Sequence, residues 1–254
     1  MMPDPRSRFS ARVANYVRFR PGYPDKLISA LAAILDNPDQ GVVADVGSGT
    51  GIFTRLLLAR GLRVYGIEPN TAMRQAGEEY LAQYAGFISV AGDAENTGLA
   101  DASVDLVTAA QAFHWFNNDQ TRAEFARILK ADGKLALIWN RRRTSQPFQR
   151  AYDDLLRELA PEYGKVNHMN LGAAEIAEFF AGDSMELLHF DYQQKLDFDG
   201  LLGRLKSSSY CPDEDTVEYT RLADELRHLF DKHAIEGLLA FEYDTQLYCG
   251  PVAR

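Results

Sequence analysis

Residues 42–51 read Val-Val-Ala-Asp-Val-Gly-Ser-Gly-Thr-Gly, and the architecture follows from this stretch. An apolar strand delivers Asp45 and then Gly47, Gly49 and Gly51 to the start of a helix that carries Phe53 and Leu56 to Leu58. Glycines at such a turn let the backbone approach a ligand closely, because no Cβ stands in the way. A dinucleotide-binding loop would place its third glycine five residues after the first; that position is Ile52. Acids stand at both Asp45, inside the first strand, and Glu68, at the end of the second. The spacing therefore disfavours a nicotinamide oxidoreductase.

The residues downstream continue the alternation of strand and helix. Residues 63–68, Arg-Val-Tyr-Gly-Ile-Glu, predict a second strand ending in a carboxylate beside the glycine loop, where it can accept hydrogen bonds from both hydroxyls of a ribose. Pro69-Asn70 opens a helix with Ala72, Met73, Ala76 and Tyr80 on one face. A third strand at 87–90 runs into Gly92-Asp93-Ala94-Glu95, and a fourth at 103–109 is followed by Gln111-Ala112-Phe113-His114-Trp115. Leu129-Lys130-Ala131-Asp132-Gly133 reads as a turn leading to a fifth strand at 134–139. Taken together, this succession resembles the core of class I S-adenosylmethionine-dependent methyltransferases across residues 41–140.

The resemblance implies an α/β, Rossmann-like three-layer αβα sandwich whose seven-stranded, mostly parallel sheet ends in an antiparallel strand. It implies S-adenosyl-L-methionine as cofactor, held by Asp45, Gly47, Ser48, Gly49, Glu68 and Pro69, with Asp93 and Ala94 at the adenine. Gln111 ends the fourth strand, at the carboxyl edge where α/β ligands bind. For Asp45 the residues leave two roles open, ordering the glycine turn through its backbone N–H groups or attracting the ammonium of the cofactor. Asp93 reads either as an adenine ligand or as a plain Gly-Asp turn.

The N-terminal stretch Tyr16-Val-Arg-Phe-Arg20-Pro-Gly-Tyr-Pro24 follows a helical face of Phe9, Val13, Tyr16 and Arg20. It resembles the arm of the small-molecule subgroup that includes the trans-aconitate methyltransferases, which folds over the cofactor. Tyr16 and Arg20 would then lie near the methionine carboxylate. The alternative is a helix packed on the edge of the sheet. The division expected is an arm at 1–24, the cofactor-binding core at 25–140, and at 141–254 the completion of the sheet with a helical substrate lid, all one structural domain. Helices are expected at 148–159, 175–180, 199–205 and 213–230, and late strands at 185–196 and 238–248.

His114 is the candidate base, with an intrinsic pKa near neutrality; packing among Phe113, Trp115 and Phe116 is the alternative. Trp115 and Arg141, Arg142 and Arg143, just past the fifth strand, are candidate acceptor contacts, an arginine being suited to grip a carboxylate in bidentate fashion. Tyr16, Trp115 and Trp139 could face the cationic methyl donor. A carboxylate acceptor needs no base, whereas a hydroxyl or thiol does.

Composition narrows the class. The chain has 254 residues, 46% of them hydrophobic, enough for a sizeable α/β core. A net charge of −9 argues against gripping nucleic acid through its phosphates. No apolar stretch approaches the ~20 residues of a membrane span, the first residues lack a secretory apolar segment, and Cys211 and Cys249 are too few for a disulfide framework. The histidines are scattered, so no metal site is expected. The reading is a cytoplasmic enzyme, monomer or homodimer, that transfers a methyl group to a small-molecule carboxylate or hydroxyl. The competing reading is a non-catalytic regulatory protein that keeps the cofactor pocket.

Overall fold

The computed structural model describes residues 18–35, 41–164, 172–182 and 184–253. Tyr16, and with it most of the expected N-terminal helix, lies outside the described residues. In chain order the elements are α1 (Asp25–Ile34), β1 (Val42–Val46), α2 (Ile52–Leu58), β2 (Arg63–Ile67), α3 (Thr71–Leu81), β3 (Phe87–Val90) and β4 (Val104–Ala110). A 3-10 turn (Phe113–Trp115), α4 (Asp119–Ile128), β5 (Leu129–Arg142), α5 (Pro147–Leu159) and α6 (Ala173–Ala177) follow. The chain continues through β6 (Glu186–Leu196), α7 (Phe198–Lys206), α8 (Val217–His233) and β7 (Leu239–Gly250).

The seven strands form one mixed sheet of order β3-β2-β1-β4-β5-β7-β6, its last strands antiparallel. β1 pairs in parallel with β2 on one side, Val46 opposite Ile67, and with β4 on the other, Asp45 opposite Thr108. Chain order reverses at β1, so the carboxyl end of this strand opens a crevice between the diverging β1–α2 and β4–α4 connections. Parallel strands covered on both faces read as continuous apolar runs. This is why Val43–Val46 and Leu106–Ala109 are buried without interruption.

The chain divides into two compact units. The larger comprises Tyr23–Asn140, Asn170–Phe190 and Thr245–Arg254. Alternation along its central strands feeds two cores. Ala44, Val46, Val107, Ala109, Leu135, Leu137 and Trp139 pack with Phe113, Phe125, Ile128 and Phe179 on one face. On the other, Val43, Leu106, Ala136 and Ile138 pack with Leu27, Leu31, Phe53 and Leu57. Two helical layers thus sandwich the sheet, as the sequence predicts.

The smaller unit comprises Met1–Gly22, Arg141–Met169 and Asp191–Asp244. Its core joins Phe148, Tyr152 and Leu156 of α5, Leu201 and Leu205 of α7, and Leu222, Leu226 and Phe230 of α8. Leu239, Phe241 and Tyr243, alternate residues of β7, complete it. α5 opens with Pro147 at its first position, where a missing N–H costs nothing. α8 starts at Val217 rather than at 213, because the Thr216 hydroxyl caps it by accepting from the Tyr219 N–H at 3.2 Å.

One predicted element differs. Residues 129–133 are not a turn ahead of the fifth strand but part of it: Val104 faces Leu129 while Leu106 faces Lys134, a bulge absorbing the extra residues. Asp105 holds the bulge, accepting from Lys130 Nζ at 2.7 Å and from the Val42 N–H at 2.9 Å. A Cβ on Gly133 would stand 2.9 Å from Leu129 Cδ2 and 3.2 Å from the Asp105 carbonyl, so a larger residue there would push on the Leu129 side chain and crowd the bulge.

Candidate functional site

The site begins where β1 ends. Gly47, Gly49 and Gly51 all have positive φ, 69°, 58° and 83°, a region that a residue with a Cβ enters only at a cost of roughly 1–2 kcal/mol. At Gly47 a Cβ would also lie 2.6 Å from that of Ala112. The loop's N–H groups are nearly all committed. Those of Gly47 and Ser48 reach the Ile67 carbonyl at 2.9 and 3.1 Å, and that of Gly51 reaches the Ser48 carbonyl at 2.9 Å. That of Gly49 reaches Glu68 Oε2, also at 2.9 Å.

Glu68 is therefore the hinge-pin of the loop. It is buried to 9% exposure, and its Oε1 accepts from the Asn70 N–H at 2.8 Å. Asn70 in turn caps α3, its Oδ1 accepting from Met73 N at 3.0 Å. One carboxylate thus joins the glycine loop to the start of the next helix, beside exposed Pro69.

Asp45 does something other than accept N–H groups from the glycine turn. Its carboxylate is 1% exposed and takes the hydroxyls of Thr54, on α2, at 2.6 Å and Thr108, on β4, at 2.9 Å. The turn's donors go to Ile67 and Glu68, so Asp45 ties β1 to its flanking helix and strand. Burial pushes its pKa up to about 6; the two hydroxyls pull it down and the neighbouring Glu68 charge adds to the rise. Thr54 and Thr108 escaped the sequence reading. No local sequence signal marks them, since Thr108 comes to face Asp45 only through the register of the β1–β4 ladder.

The carboxyl edge of β4 carries the third feature. Gln111 has φ of 59°, a strained conformation for a side chain of its size. Its N–H is held by the Ile138 carbonyl at 2.9 Å, and its amide reaches the Asn140 carbonyl at 3.4 Å. Asp93 folds back on its own turn, Oδ1 accepting from Asn96 N at 2.8 Å, and Ala94 is buried behind it. His114 sits on the 3-10 turn, its ring 4.7 Å from that of Trp115, which is about half exposed.

Burial pushes the His114 pKa down to about 4. A histidine depressed in this way leaves stability intact above its unfolded value near 6.5 and lowers it progressively as pH falls from there through about 4. The imidazole is hence neutral throughout the physiological range. In a histidine NMR titration, His114 should show no protonation between pH 5.5 and 8. A midpoint near 6.5 would mean that the ring is solvated and differently placed.

Asp45, the glycine loop, Glu68, Pro69, Asp93, Ala94, Gln111, His114 and Trp115 all belong to the larger unit. Arg20 and Arg141, Arg142 and Arg143 belong to the smaller. There Arg20 Nη2 donates to the Ser207 carbonyl at 2.9 Å. Arg143 pairs with Asp191, and Arg142 is buried against Asp153 at 3.3 Å, donating also to the Tyr163 hydroxyl. Arg141 is half-buried.

Comparison with known proteins identifies the family. A family profile described as a methyltransferase domain matches residues 44–137. A protein of Mycobacterium tuberculosis (strain H37Rv), named an uncharacterized methyltransferase, is 30% identical over 243 residues, 93% of this chain and 92% of that protein. The chain belongs to the methyltransferase family. S-adenosyl-L-methionine is the cofactor of this class of enzyme. A methyltransferase structure from Anaeromyxobacter dehalogenans shares the fold with a TM-score of 0.73 at 23% identity, over 92% of this chain and 98% of that one. A second, from Geobacter sulfurreducens in complex with S-adenosyl-L-homocysteine, has a TM-score of 0.52 at 16% identity, over 96% and 98%.

The residues of this methyltransferase fit such a cofactor. The three loop glycines all have positive φ, a Cβ at Gly47 or Gly51 would meet Ala112 or Leu81 at 2.6 Å, and the buried Glu68 carboxylate accepts from the Gly49 N–H. Among the described residues no helix is long and apolar enough to cross a membrane.

Proposed function

We propose that this methyltransferase transfers a methyl group to a small-molecule acceptor bearing a carboxylate or a hydroxyl, in the subgroup that the trans-aconitate methyltransferases represent. The observation that carries the cofactor half is the Glu68 carboxylate, which grips Gly49 N and Asn70 N at once. Each carboxylate oxygen carries a second lone pair, and these accept the two ribose hydroxyls. Gly47, Ser48 and Gly49 give the backbone surface for the amino-acid moiety, and Asp45 supplies negative charge toward its ammonium. Asp93 and the Ala94 N–H meet the adenine, and Gln111 lines the boundary with the acceptor.

When bound, S-adenosyl-L-methionine supplies a methyl group on a cationic sulfur that is already a good leaving group. The protein's own task is alignment and exclusion of water. His114, neutral at physiological pH, is available to accept a proton from a hydroxyl acceptor; its low pKa makes it a weak base, which favours acceptors that arrive ionised. Tyr16 and Arg20 of the arm hold the cofactor in place, and Trp115 forms part of the acceptor wall. An arginine among Arg141, Arg142 and Arg143 anchors an acidic acceptor. Arg142 is favoured, because its Nη1 is buried with no hydrogen-bond partner among the described residues.

Titration calorimetry tests the cofactor half. S-adenosylmethionine and S-adenosylhomocysteine should bind and NAD should not; tight NAD binding with no signal from the other two would sink the assignment. Incubating the enzyme with methyl-labelled cofactor and pooled metabolites tests the other half. Label should appear in a small acidic or polar product, and labelling confined to neutral apolar molecules would refute an arginine anchor.

A further inference from the structure

The core of the smaller unit contains two guanidiniums where an apolar interior would be expected. Arg204 projects from α7 between Leu201 and Leu205, on the helix's apolar face, and is 9% exposed. It stacks over Phe241 at 4.6 Å and Tyr243 at 5.4 Å. Arg142, its side chain 6% exposed, stacks over Tyr152 at 5.6 Å and Tyr163 at 5.5 Å. Tyr152 packs edge-on to Phe241 at 5.5 Å, so the two arginines flank one continuous aromatic cluster.

Among the described residues the charges in this cluster do not balance. Asp153 is the carboxylate that meets Arg142, and it is shared with Arg157 and with the Tyr163 hydroxyl. Among the described residues no carboxylate lies within ion-pair distance of Arg204. Arg204 Nε, Arg142 Nη1 and the Tyr243 hydroxyl are buried with no hydrogen-bond partner among the described residues. Arg20 adds to the positive field, since all three arginines hold the buried Tyr210 phenol below its usual range against the opposing effect of burial. Aromatic faces offset only part of the cost of a desolvated guanidinium. Buried donors left unmade are costly, and an oxyanion satisfies several of them together.

We propose that this cluster is a carboxylate-binding subsite: Arg142 and Arg204 take the carboxylate of a small organic acid, the Tyr243 hydroxyl donates to it, and the aromatic rings hold its carbon skeleton. Inorganic phosphate shares the charge but has no apolar part for Tyr152, Phe241 and Tyr243 to cover. That this acid is the methyl acceptor rests on the function proposed above; the binding site itself does not.

The test is titration of the full-length protein with benzoate and, separately, with inorganic phosphate, followed by calorimetry and by thermal melting. Benzoate should bind the parent and raise its melting temperature. Arg204→Met should weaken benzoate at least tenfold, and Tyr243→Phe, which removes a single oxygen, several-fold. Arg221→Met, a change at an exposed arginine, should have no effect. If Arg204→Met fails to fold, Tyr243→Phe carries the test alone. Failure of the parent to bind benzoate, equal affinity in the parent and the site variants, or binding of phosphate alone would each overturn the proposal. S-adenosylhomocysteine titrated into the same samples reads the methyltransferase assignment separately. Its failure beside intact benzoate binding would refute the acceptor role and leave the carboxylate subsite standing.

Discussion

Replacing Glu68 with alanine should weaken S-adenosylhomocysteine binding by about 100-fold while leaving the protein folded. Losing a charged acceptor costs roughly 1.5–3 kcal/mol, or about one to two decades in the dissociation constant. The upper end is expected, because the same carboxylate holds both the Gly49 N–H and the Asn70 N–H. Without it the glycine loop loses its tie to the start of α3 as well as the proposed ribose acceptor. Glu68→Gln should fall between parent and alanine, since the amide keeps one acceptor oxygen but turns an NH2 toward a backbone donor. Calorimetry on variants whose circular dichroism matches the parent decides the matter. Unchanged affinity in Glu68→Ala would mean that the cofactor does not use this edge of the loop.

Asp45→Asn should separate stability from binding. The folded-state pKa of Asp45, about 6, lies above its unfolded value of 3.8. Its contribution is therefore fully favourable below pH 3.8 and is lost as pH rises through about 6. At pH 8 keeping this buried carboxylate ionised costs up to about 3 kcal/mol. Asparagine cannot ionise, and the Thr54 and Thr108 hydroxyls can rotate to accept from its amide. Urea denaturation at pH 4.5 and pH 8 should thus show a parent that loses stability relative to the variant at the higher pH. Cofactor affinity at pH 8 should move the other way, falling in Asp45→Asn because the negative charge proposed to attract the ammonium is gone. Identical pH slopes in both proteins would show that Asp45 is not desolvated as its threonine contacts imply. Unchanged cofactor affinity would restrict it to a structural role.

The sandwich was legible because its physics is local. Central parallel strands are buried on both faces, so they appear as short apolar runs, and the glycine loop marks itself by demanding three left-handed residues in five positions. Glu68 was legible for the same reason: the length of α2 and its turn fixes where the second strand must end relative to the loop. The bulge at 129–133 was not, because Lys130 and Gly133 look like a turn until Asp105, on another strand, anchors them. The two threonines that hold Asp45 were equally hidden, since a hydroxyl shows its partner only once the ladder register is set.

Periodicity and backbone stereochemistry, which act within a few residues, were enough to set the α/β class, the strand carrying the loop and the carboxylate beside it. The electrical state of the charged groups was settled only on folding. Arg204, in a helix whose apolar face it shares with Leu201 and Leu205, reads in one dimension as an ordinary snorkelling side chain. Folding sets it against Phe241 and Tyr243, some 40 residues along the chain, and closes the aromatic cluster around it. Desolvation depends on what every other segment brings to a point in space, and so the arginines of the smaller unit, the raised carboxyl of Asp45 and the neutral imidazole of His114 emerge only from the fold.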